Sequence, residues 1–165
     1  MKAKAAYLGM FTALAMILSY VESLFPVFYG IPGIKLGLAN SMSLVMLYLM
    51  GVPSAFCVSI VRVVLSGFLF GNLFSIAYSL AGALLSMAVM AALKRLGLFS
   101  VTGVSICGGM AHNTGQLIVA IFLVENLNLF YYLPVLLLSG LATGLVIGLL
   151  SSEILKRLPQ MRNGI

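Results

Sequence analysis

Apolar residues run through this chain in long stretches broken by short Gly- and Pro-containing segments, a pattern of spanning helices rather than of half-buried strands. The first stretch begins at Ala5 and continues past Ser19. It is longer than a signal-peptide core and lacks a small-x-small site followed by a polar chain, so it reads as a retained helix. The runs predict helices over about 5–21, 38–52, 53–69, 72–93, 103–124 and 132–155. The second and third are joined only by Gly51-Val52-Pro53, and Pro53 can open a helix where an N–H has no partner to lose. A tight helical hairpin is expected there. No repeat, low-complexity tract or linker interrupts the pattern, so 1–165 reads as one integral membrane domain: an all-α, polytopic bundle of six transmembrane helices.

Composition agrees. The chain is 62% hydrophobic with a mean hydropathy of +1.19 and only 7% charged residues, against about a quarter in soluble domains. Spans of about 20 residues leave too little chain for a soluble domain. Nine Lys and Arg, three Glu, one His and no Asp complete the ionisable set. The absence of Asp excludes the Asp-rich Mg²⁺-diphosphate sites of prenyl synthases and kinases. With the N-terminus inside, Lys2, Lys4, Lys94, Arg95, Lys156, Arg157 and Arg162 flank the cytoplasmic side and Lys35 alone the outer side, which predicts a multi-pass protein of the cell membrane with both termini cytoplasmic. The +6 charge thus expresses topology, and a nucleic-acid partner gains no support. Cys57 and Cys107 lie in apolar runs and read as buried small hydrophobes rather than a disulfide or thiolate metal site. No cofactor is implied. No G-x-x-x-x-G-K-[ST] loop is present, so energy for transport would come from a partner or a solute gradient.

Small residues mark helix contacts. Gly140, Gly144 and Gly148, continued by Ser152, form a stripe on the last span, and Ala5, Gly9 and Ala13 form one on the first. Packing within the bundle and docking to another membrane subunit are the two readings of each.

Polar residues at membrane depth are costly and therefore mark sites. Arg62 lies nine residues past Pro53 and His112 nine past Gly103, each about 13 Å along a helix. The two spans run the same way, so a guanidinium and the sole imidazole are expected at similar depth. Asn113 and Gln116 accompany His112, with Gln116 on its face at i, i+4. The segment from Gly108 to Gln116 is so rich in glycine that irregular backbone lining a cavity is expected. Arg62 is either satisfied by carbonyls and snorkelling or anchors an anion, and His112 is either a hydrogen-bonded interior residue or a ligand contact. One His without nearby carboxylates or thiolates completes no metal site. Ser139-Gly140 lacks the preceding Gly of the G-x-S-G pattern of intramembrane serine proteases. The connection from Glu22 to Lys35 is aromatic yet broken by Pro and Gly, which reads either as an interfacial belt or as a lid with Lys35 facing inward. With the aromatic and amide turns at 67–72 and 125–132, it describes an outward-opening pocket for a partly apolar anion.

The runs from Gly33 to Asn40, Arg62 to Asn72, Tyr78-Ser79-Leu80-Ala81-Gly82 with Ser86, Gly103 to Gly109 leading into Ala111-His112-Asn113-Thr114-Gly115-Gln116, and Tyr132 to Leu136 resemble the Gx transporter family, also known as heptaprenyl diphosphate synthase component I. More distantly the architecture resembles the S components of energy-coupling-factor vitamin transporters. That resemblance implies six helices, a pocket near the outer face under a first-loop lid, and docking to a coupling subunit with ATPases through an A-x-x-x-A stripe, matched here by Ala5, Gly9 and Ala13. The ligand-binding set expected from both lines of reasoning is Arg62, His112, Asn113, Gln116, Lys35, Asn40, Tyr78 and Ser79. Three functions stand: a binder or transporter of a small anionic, vitamin-like or isoprenoid-related solute; a non-catalytic accessory subunit of a prenyl diphosphate or quinone pathway or a membrane redox complex; and, least supported, an intramembrane enzyme.

Overall fold

Gly51 alone separates two helices of the chain, and its backbone explains how (φ +83°, ψ −178°): this is a conformation that side-chain-bearing residues rarely adopt. A computed structural model describes residues 2–24 and 37–158. Its helices are α1 (Lys2–Leu24), α2 (Leu38–Met50), α3 (Val52–Phe70), α4 (Leu73–Leu96), α5 (Val101–Val124) and α6 (Leu133–Arg157), with a 3₁₀ turn over Leu127–Tyr132. Local chemistry sets the starts. The Asn72 side chain accepts from Ser75 N at 2.8 Å, the Ser100 hydroxyl accepts from Gly103 N at 3.2 Å, and Pro53 and Pro134 occupy first-turn positions.

The short connections at 51, 71–72 and 97–100 make the helices they join antiparallel. Helices α1, α2 and α3 pack together, α5 packs against both α4 and α6, and the halves meet where α3 touches α4 and α2 touches α6. Lys4, Lys94, Arg95, Lys156 and Arg157 thereby gather at one end of the bundle and Glu22 and Glu125 at the other.

Five segments are long and apolar enough to span a membrane, and α2 falls short. Its 13 residues reach about 20 Å against a hydrocarbon core of about 30 Å. Every side chain from Ser41 to Leu47 is buried, so α2 is an internal strut rather than a lipid-facing span. Leu44, Val45, Met46 and Leu47 form the core with Phe11 and Ala15 of α1, Val58 of α3, Met87 and Met90 of α4, Val104 of α5 and Ile147 of α6.

The exposed faces of the other helices are apolar, as a lipid-facing surface requires. This corrects the reading of the cysteines. Cys57 is exposed and Cys107 half-buried, because an apolar run in a membrane protein faces lipid as readily as the protein interior.

The glycines of α5 and α6 serve close approach. A methyl group at Gly144 would lie 2.7 Å from the Ile106 Cα, and one at Gly148 would lie 2.7 Å from the Thr102 Cα. Gly140 meets the Met110 backbone in the same way. The stripe ends in buried Ser151 rather than Ser152, since a 3.6-residue turn drifts off a strict spacing of four. The expected irregular backbone at 108–116 is absent: α5 is continuous there. Its glycines instead admit neighbours, Gly109 against the Gly140 backbone of α6, and Gly108 and Gly115 against Met90 and Ala81 of α4.

Helix α1 contrasts with α6. It rests on the bundle through Phe11 and Ala15, while Ala5, Gly9 and Ala13 are exposed, and no atom lies within 4 Å of where a Gly9 Cβ would be. Among the described residues, nothing packs on that stripe.

Candidate functional site

A short helix buried on all sides carries its end charges into a poorly screened interior, and both ends of α2 meet an opposite charge. Glu22 of α1 accepts the Leu38 N–H at 2.8 Å. At the far end the Lys94 ammonium donates to the Leu47 carbonyl and sits 5.0 Å from the centre of the Tyr48 ring.

The Glu22 end opens on a cavity between the two halves of the bundle. Glu22, Gly37, Asn40, Arg62, Ser79, Gly109, His112, Asn113, Gln116, Thr143 and Ile147 line it. Its volume is about 60 Å³, space for a few waters or one small polar group.

Arg62 is held on the α1–α2–α3 wall. Its Nη2 donates to Asn40 Oδ1 at 2.8 Å and its Nη1 to Ser19 Oγ at 3.5 Å, while Nε is buried without a hydrogen-bond partner among the described residues. Ser66 one turn on donates to the Arg62 carbonyl. The Tyr20 and Phe70 rings, 5.2 Å apart, join the adjoining ends of α1 and α3.

Across the cavity, His112 and Gln116 pack over Gly82 of α4, where a methyl group would come 3.0 Å from His112 Cε1 and 2.8 Å from Gln116 Cγ. The glycine in the Tyr78–Gly82 run thus makes room for the site. Buried Asn113 donates from Nδ2 to the Leu136 carbonyl at 2.8 Å, so its amide N–H ties α5 to α6 as well as lining the cavity.

The structure therefore brings Arg62, His112, Asn113, Gln116, Asn40 and Ser79 onto one cavity. Tyr78 is half-buried and not among the lining residues, because consecutive helical residues point about 100° apart and Ser79 takes the inward position. Lys35 and most of the expected lid lie outside the described residues. Sequence reasoning missed Glu22, Ser19, Gly37, Gly109, Thr143 and Ile147 at the site. The expectation for Glu22 also needs correction: a first helix ending at 21 puts Glu22 in the outer connection. Helix α1 runs on through Leu24, so Ser19 and Glu22 share a face at i, i+3, and Glu22 lines the same cavity as Arg62. The spacing of Phe11, Ala15, Ser19 and Glu22 was the signal available.

Apolar spans around a small charged cavity define a multi-pass helical membrane protein with a polar interior site. The sequence profile of the heptaprenyl diphosphate synthase component I family matches residues 11–154, and the chain belongs to that family. No match is found among curated proteins or among solved structures.

Proposed function

We propose that the protein is a membrane solute-binding or transport protein whose cavity takes the anionic group of a small, partly apolar solute. The observation that carries this reading is Arg62: a cation held by two neighbours, with a buried Nε still lacking a hydrogen-bond partner among the described residues, on the wall of a cavity that Glu22, His112, amides and hydroxyls also line. Such a group is costly in a membrane interior, and a carboxylate or phosphate oxygen would satisfy it. The cavity suits a polar head, so a ring or isoprenoid chain of a vitamin-like or quinone-related solute would extend beyond it. With the basic end in the cytoplasm, the cavity lies toward the outer side, as in the S components this chain resembles. The test is thermal unfolding of the purified protein with and without a small-molecule extract of the host cell. The wild type should be stabilised and Arg62→Met should not; equal responses overturn the reading.

A second reading, a non-catalytic membrane subunit, is favoured by the family description and by the exposed Ala5, Gly9 and Ala13 stripe. Without Asp the chain has no acidic cluster for Mg²⁺-diphosphate chemistry of its own. In either reading the stripe is the face for a second membrane subunit, such as a coupling subunit with its ATPases.

A further inference from the structure

We propose that Glu22 and Arg62 form a dipolar recognition pair, so that the solute carries a cationic or N–H-donating group beside its anionic one, as a small zwitterion does. This deepens the solute-binding reading and rests on it.

Among the described residues lining the cavity, Glu22 and Arg62 are the charged ones, and His112 is the other titratable one. The Glu22 and Arg62 charges cancel each other. An anion alone would then leave a net negative charge inside the bundle and face the Glu22 carboxylate; a cation alone would face Arg62. A zwitterion leaves the filled site neutral and meets each charge with its opposite.

Position supports the pairing. Among the described residues, ion pairs within 4.0 Å occur at Glu153 and not between Arg62 and Glu22. The two line the same cavity yet do not close on each other. Each is fixed separately, Glu22 by the Leu38 N–H at 2.8 Å and Arg62 by Asn40 at 2.8 Å. Two opposite charges held apart on one wall present a preformed template for a molecule with complementary charges a few ångströms apart.

The experiment compares β-alanine, propionate and propylammonium, probes of matched size, by thermal shift and calorimetry on the detergent-purified full chain at neutral pH. In the wild type, β-alanine should bind at least tenfold more tightly than either singly charged probe. Glu22→Gln keeps an oxygen for the Leu38 N–H but loses the charge, and should shift the β-alanine to propionate ratio at least tenfold toward propionate. Propionate binding the wild type as tightly as β-alanine, and lost in Arg62→Met, overturns the dipolar pair while leaving the solute site standing. An unchanged ratio in folded Glu22→Gln overturns it too. No binding of any probe up to about 0.1 M, the range expected of a ligand this small, overturns both. If Glu22→Gln does not fold, the wild-type ratio alone decides.

Discussion

Arg62 shows how one side chain organises its surroundings. Its guanidinium joins Ser19 of α1 to Asn40 of α2 from a position on α3, and its Nε–H is buried without a hydrogen-bond partner among the described residues. Arg62→Lys keeps the charge but loses the fork that reaches both neighbours, so binding should weaken while the bundle still folds, as titration and circular dichroism would read. Arg62→Met should abolish binding, and it should lower the melting temperature of the empty protein, because it leaves the Glu22 carboxylate without its opposite charge and Asn40 without its donor. Asn113→Leu should instead lower stability by about 1–3 kcal/mol, because the Leu136 carbonyl loses its partner. Residues of this kind were legible in the sequence because a polar group in an apolar run stands out by its cost. Glu22 was not, since it sits where the apolar run fades and reads as loop. Its role depends on α1 lasting one turn longer. Tyr78 was misassigned because a run of letters conceals which neighbour turns inward.

Among the elements, α2 and the two small-residue stripes carry the main lessons. The hydropathy of α2 marks it as a span like the others, but its length and its burial on all sides make it an internal strut with charged caps. Lys94→Met removes the cap at one end and should cost about 1 kcal/mol in thermal unfolding. The stripes look alike in sequence and differ in place. Gly144→Ala sets a methyl group 2.7 Å from a backbone carbon of α5 and should destabilise by about 1–3 kcal/mol, as overpacking does. Gly9→Ala meets nothing and should stabilise by up to about 1 kcal/mol through helix propensity. Spacing of four encodes that something may approach closely, not what approaches; only the three-dimensional arrangement separates a packed stripe from an open one. The glycines of 108–116 were read as a broken helix for a related reason, as glycine lowers helix propensity and permits close packing alike.

At the scale of the whole molecule, one basic end and one end bearing Glu22, Glu125 and the cavity set the expected topology. With Cys57 and Cys107 replaced by Ala, Lys4→Cys should react with membrane-impermeant maleimide only from the cytoplasmic side and Asn128→Cys only from the outer side; same-side labelling contradicts the orientation. If α1 docks a second subunit, Gly9→Leu should abolish co-purification of that subunit without lowering the melting temperature, since it gains helix propensity as Gly9→Ala does. The central claim is that the cavity between the halves holds a solute through Arg62. Native mass spectrometry of the detergent-purified protein tests it most directly. The account predicts a discrete small-molecule adduct on the wild type that is absent from folded Arg62→Met; a bare wild-type mass, or an adduct that survives Arg62→Met unchanged, would contradict it.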